Sequence, residues 1–186
     1  MLLARHGSQE RAPKRSSAMK PSQLGEVQAP LKARYKSAPE SARLTLRAKG
    51  SLSDSAIACK VETGAAIREA GLHTATGGDG SLACSGDMLL EAIVACAGVT
   101  LKAVVASMGI ELRGGTVAAE GDIDFRGTLA VSREARVGFT EIRLKFDLDT
   151  DAPAEQVARL LAATERYCVV YQTLVNPPRV SVVRPQ

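Results

Sequence analysis

Residues 139–148 read as a strand that alternates from Glu141 onward: Ile142, Leu144, Phe146 and Leu148 fall on one side, Glu141, Arg143, Lys145 and Asp147 on the other. A period of two predicts a strand with one face in a core and one in water, in an antiparallel sheet. Shorter alternations in Arg43-Leu-Thr-Leu-Arg47 and Ile57-Ala-Cys-Lys-Val61 predict strands over 43–49 and 55–63, around a turn at Ser51-Leu-Ser-Asp54. A third extended segment near 66–74 runs into Thr76-Gly-Gly-Asp-Gly80, whose glycines mark a turn or open loop. Strands are also expected over 115–127 and Arg179–Val183.

The period changes twice. Leu89, Ala92, Ile93, Cys96, Thr100 and Ala103 recur at three- and four-residue spacing and predict a helix. Ser85 or Asp87 is its expected cap and Gly109 its stop. Its opposite face is hardly polar before Lys102, which predicts a helix buried on most sides, at the centre of the fold or at a subunit interface. Asp151 and Pro153 open a second helix, where Val157, Leu160, Leu161, Thr164 and Cys168 trace one inward face, and Pro177-Pro178 ends it. The order β-β-β-α-β-β-α-β, with its strands in clusters, predicts an α+β fold rather than a doubly wound sheet.

Charge divides the chain. Residues 1–49 hold 11 Lys and Arg against 3 Asp and Glu, while residues 50–186 hold 13 against 17, so the basicity belongs to the N-terminal region. Two parts are therefore expected: a basic, partly disordered extension over 1–40 and a folded domain over 41–186. Met19 is a second candidate start within the extension. With Tyr35 as its one aromatic, the extension lacks the stacking groups of a nucleic-acid binder, and no nucleic-acid partner is expected. Arg5 and His6 interrupt Leu2-Leu3-Ala4, so no secretory segment is expected. Glu91 and Lys102 break the most apolar stretch, 88–108, and no membrane span is expected. The expected location is the cytoplasm.

The candidate chemistry lies in four cysteines, 59, 84, 96 and 168. They form no Cys-x-x-Cys pair and have no close histidine, which argues against zinc. Thr76–Gly80 lacks the Lys-Ser/Thr of a phosphate loop. No metal and no cofactor are expected. Cys96 and Cys168 each sit on the apolar face of a predicted helix, which leaves two readings open. They are inert small hydrophobes, or they meet in one core as a redox pair. Cys84, at a helix entrance, is a candidate alternative thiol, and His73, beside the glycine loop, a candidate pocket residue or base.

The segment from Gly77-Gly78 through Ser85-Gly-Asp-Met-Leu-Leu-Glu-Ala-Ile-Val-Ala-Cys96 resembles the first cysteine helix of the OsmC/Ohr family, the osmotically inducible and organic-hydroperoxide-resistance proteins. Glu165-Arg-Tyr-Cys168 followed by Leu174 resembles the second cysteine motif, and the likeness covers roughly residues 42–184. The resemblance implies an intertwined homodimer, with the cysteine helices central and the sheets wrapped around them. It implies a thiol-dependent hydroperoxide reductase, in which Cys96 attacks the peroxide, Cys168 resolves it and an external dithiol restores both. The apolar helix faces favour organic hydroperoxides. The chain departs from the family pattern at Ser85 and Gly86, where a proline and an acidic residue are usual, and at Val169, where a proline is usual. The family's activating arginine comes from the first strand turn, where Arg47 and Lys49 are the candidates here. The alternative is a weakly active stress protein of the same fold that binds a small apolar ligand.

Overall fold

The computed structural model describes residues 24–38, 49–52, 58–63 and 66–184. A helix, α1 (Leu24–Ser37), precedes the sheet strands, in a stretch whose composition predicts no element. Strands β1 (Lys49–Leu52), β2 (Ala58–Thr63) and β3 (Ala66–Gly71) form an antiparallel meander, and β4 (Ala83–Cys84) adds to β3 in parallel. Ser51 and Leu52 are ladder residues opposite Lys60 and Cys59, so the first reversal falls later than the turn expected at Ser51. Residues 43–48 of the expected first strand lie outside the described residues.

Next come the long helix α2 (Ser85–Met108), strand β5 (Gly114–Ile123), a single helical turn α3 (Phe125–Thr128) and strand β6 (Phe139–Asp149). β5 and β6 pair antiparallel as a separate two-stranded sheet. The alternation of 139–148 is realised: Phe146 and Leu148 pack on the core, while the charged side chains pair across the ladder, Arg143 with Asp122 and Glu141, Lys145 with Glu120. These pairs are solvent-exposed and add little stability.

Two details of α2 correct the sequence reading. Cys84, not Ser85 or Asp87, is the N-cap residue, and Asp87 lies in the first turn. The buried stripe is Ile93, Ala97, Leu101, Val104 and Val105, which keeps Ile93 of the expected line while Leu89 and Ala92 stand exposed. A helix apolar all round offers no polar face from which to choose the inward one. Gly109 ends the helix as expected, in the left-handed region at φ 64°, returning its N–H to the Val105 carbonyl. By length and composition α2 is apolar enough to cross a membrane, yet it packs against β5 and the two helices that follow.

The helix expected over 153–176 is two. α4 (Ala154–Tyr167) stops, Cys168 adopts an extended backbone (φ −74°, ψ 110°), and α5 (Val169–Val175) starts afresh. The strand expected over Arg179–Val183 has no ladder partner among the described residues, and Val180, Val182 and Val183 stand exposed. The core joins Leu101, Val104, Val105, Ile110 and Leu160 against Val117, Phe146 and Leu148, so α2 is clamped between α4 and the second sheet. Leu160 is fully buried at its centre. Leu160→Ala should cost roughly 2–5 kcal/mol of stability, read from urea unfolding, through lost burial and the cavity left behind.

Candidate active site

The break between α4 and α5 builds the site. Thr164, one turn before the break, is buried and donates its hydroxyl to the Leu160 carbonyl at 2.8 Å, which satisfies it inside the helix. The Cys168 amide still reaches back to the Thr164 carbonyl, after which the backbone leaves the helical path. α5 then begins with its first amides unsatisfied by its own carbonyls, as every helix start does. The N–H groups of Val170 and Val169 point at the sulfur of Cys96 on α2. The Thr100 hydroxyl, one turn along α2, also reaches that sulfur.

Cys96 and Cys168, 72 residues apart in the chain, therefore meet within hydrogen-bonding reach, both as free thiols. Their environments push them in opposite directions. Burial pushes the Cys96 thiol up, but the Val170 amide, the Cys168 thiol, the Val169 amide and Thr100 outweigh it and hold Cys96 below its ordinary value. Burial pushes Cys168 up, and the neighbouring Cys96 sulfur adds to that. The arrangement favours ionisation of Cys96 over that of Cys168, whose thiol is placed to donate to the Cys96 sulfur. Cys168 is 1% exposed, whereas Cys96 is only half-buried, on the side of α2 that solvent reaches. Chemically this is a nucleophilic sulfur beside a protonated partner that can form a disulfide with it.

The other singled-out residues lie elsewhere. Cys84 is separated from Cys96 by 12 residues, about 18 Å of helix at 1.5 Å per residue. It cannot resolve Cys96 within one chain. His73 shares with Cys84 a separate cavity at the N-terminal end of α2, stacks on Phe125 with ring centres 5.0 Å apart, and accepts the Ala75 amide at Nδ1. It is the cap of a short turn, away from the thiol pair. Cys59 lies in β2, Lys49 is described by its β1 backbone alone, and Arg47 lies outside the described residues. Among the described residues no group of His, Cys, Asp or Glu is arranged to hold a metal.

Beside the thiols, a cavity of about 420 Å³ opens between α2, α5 and β6. Leu89 and Ile93 precede Cys96 on α2, and Tyr171 and Leu174 follow Cys168 on α5, so both cysteine-bearing segments supply its walls. Arg136, from the long β5–β6 connection, also lines it. The sequence reading missed Arg136 and the two valine amides. The loop was visible only as a gap between strands, and a backbone donor leaves no mark in residue type.

A family model described as OsmC-like protein matches residues 78–183, which include both cysteine segments. The chain belongs to the OsmC-like family. Solved structures with the same fold include an OsmC-like protein from Mycoplasma pneumoniae, at TM-score 0.60 and 12% identity, covering 72% of this chain and 89% of that one. An organic hydroperoxide resistance protein from Legionella pneumophila aligns at TM-score 0.57 and 16% identity, over 73% and 92%. One from Elizabethkingia anophelis aligns at 0.56 and 19%, over 72% and 91%. No curated protein sequence matches the chain. OsmC-like architecture thus accounts for the mixed helix and sheet content around α2.

Val169 offers a direct test of the amide contribution. Proline is favoured at the first position of a helix, and an extended residue before it, as Cys168 is, suits it sterically. Val169→Pro should therefore keep the fold while removing one N–H donor from the Cys96 sulfur. Iodoacetamide labelling of Cys96, followed by peptide mass spectrometry across pH, should rise below the range of a free cysteine in the native protein. In Val169→Pro the rise should move to higher pH, with several-fold slower labelling at pH 7; an unchanged profile would show that the amide does not tune the thiol.

Proposed function

We propose that this protein is a soluble, cytoplasmic, thiol-dependent hydroperoxide reductase in which Cys96 is the peroxidatic and Cys168 the resolving cysteine. The observation that carries the reading is the opposed tuning of two adjacent sulfurs, one held toward thiolate by helix-start amides, the other kept a thiol by burial. Membership of the OsmC-like family and the fold shared with organic hydroperoxide resistance proteins support it.

The Cys96 thiolate attacks the terminal oxygen of ROOH. The O–O bond breaks, the OH passes to sulfur as a sulfenic acid, and RO⁻ leaves to take a proton and become ROH. Cys168, losing its proton, attacks the Cys96 sulfur; the S–S bond forms, the S–O bond breaks, and water departs. An external dithiol then reduces the disulfide and is itself oxidised to one. In sum, ROOH and a dithiol give ROH, water and a disulfide, with the enzyme unchanged. The apolar walls of the adjoining cavity favour organic hydroperoxides over hydrogen peroxide.

The working form is a homodimer. Val99 on α2, Tyr167 at the end of α4 and Val169 at the start of α5 are 74%, 62% and 70% exposed, and they flank the thiol pair. Such an apolar surface around a reactive centre supports a covering second copy. In sedimentation, a dimer is expected, and Val99→Glu should shift it toward monomer; a wild type that stays monomeric at tens of micromolar would refute the assembly.

The second reading, a ligand-binding protein of this fold with slow thiols, draws on the same cavity. Peroxide consumption with a dithiol and an organic hydroperoxide separates the two. Cys96→Ser should abolish turnover, and Cys168→Ser should prevent the intramolecular disulfide and leave Cys96 prone to overoxidation. Equal turnover by wild type and Cys96→Ser, with no disulfide after peroxide treatment, would favour the binding protein.

A further inference from the structure

We infer that Gln172 is a positioning residue for Cys96: its side-chain amide takes the Glu165 carbonyl that the helix break strands, and so frees the Val169 N–H to face the sulfur. The inference rests on the reading of Cys96 as the reacting thiol. In an unbroken α-helix each N–H returns to the carbonyl four residues earlier. The Cys168 amide still does so, reaching the Thr164 carbonyl at 2.9 Å. By the same rule the next amide, that of Val169, belongs to Glu165. The extended backbone at Cys168 turns it toward the Cys96 sulfur instead. The Glu165 carbonyl thus loses its helical donor, and Gln172 replaces it: Nε2 donates to that carbonyl at 2.9 Å.

Further contacts hold the Gln172 amide the right way round. Asn176 Nδ2 donates to Gln172 Oε1 at 3.0 Å, which leaves Nε2 as the end that faces Glu165. The backbone amides of Gln172 and Asn176 return to the Cys168 and Gln172 carbonyls, each at 2.9 Å, so the side chain projects from the first complete turn of α5. Gln172 is itself half-buried at this corner. A side-chain amide is a neutral donor like a peptide N–H, so the exchange keeps the carbonyl satisfied without adding charge. With Gln172 removed, the protein donor that helical geometry offers to the Glu165 carbonyl is the Val169 N–H, and α4 gains a hydrogen bond by running on into α5. The break is therefore held open from one turn beyond it. A neutral replacement of Gln172 also leaves the charges around the thiol pair as they are: Glu165 and Tyr171 at the α4–α5 corner, Arg136 and Glu141 across the adjoining cavity.

Iodoacetamide labelling of Cys96 across pH, on the full-length protein, reads the tuning directly and needs no peroxide. Gln172→Met keeps the side chain's length and helix preference but has no donor. Its labelling curve should move to higher pH, with several-fold slower labelling at pH 7. In Val169→Pro the freed donor is already gone, and the proline ring bars a continuous helix. Adding Gln172→Met to Val169→Pro should therefore leave the curve where the proline put it. An unchanged curve in Gln172→Met overturns the assignment. So does an equal further shift in the double variant, which would mean a general loosening of the corner. Should Gln172→Met fail to fold, Gln172→Leu, also without a donor, takes its place in both comparisons. Turnover that survives Cys96→Ser, with the labelling pattern as expected, removes the peroxidase and leaves the positioning of Cys96 standing.

Discussion

A pair of backbone amides aimed at one sulfur is the interaction on which the proposed thiol chemistry depends. Cys96 sits in the interior of a 24-residue helix, where its own helix can offer it no free N–H. The donors come instead from the start of α5, delivered by the extended backbone at Cys168. The same residue thus breaks the helix, contributes the second thiol and points the next two amides at the first. The groups that act most strongly on the Cys96 sulfur are two amides, a thiol and a hydroxyl. Val169 matters here because a proline, the residue usual at this place in the resembling family, has no N–H to give.

Packing holds that arrangement in place. α2 is locked against α4 and the second sheet by Leu101, Val104, Val105 and Leu160, so the Cys96 side chain is presented from a rigid element. Thr164 closes its hydroxyl onto the Leu160 carbonyl and leaves no buried polar group seeking another partner. On the face of α2 turned away from this core, Val99 stands exposed among the described residues.

Much of the architecture was readable from residue order. The strict alternation of 141–148 identified β6 and its wet face, and Gly109 marked the end of α2 at the observed residue. Both rest on local physics: a period of two and a left-handed stop. The two cysteine segments pointed to the family, and their sulfurs do meet. What escaped were features decided by tertiary packing. The buried stripe of α2 was invisible because every face is apolar, and the break at Cys168 because Tyr-Cys-Val-Val holds neither glycine nor proline. The strand expected over 179–183 has the right residues but no neighbour to pair with among the described residues. Helix α1 went unforeseen in a segment that carries Pro30 and few large apolar groups.

The unequal burial of the two sulfurs gives the proposed cycle a direction. Once the disulfide has formed, an incoming thiol can approach only the half of the bond that faces water, because Cys168 is buried and Cys96 is not fully so. The reductant therefore becomes linked to Cys96, and Cys168 departs as the leaving sulfur, back into the cover it never left. Regeneration retraces the path by which the oxidant arrived, through a single doorway.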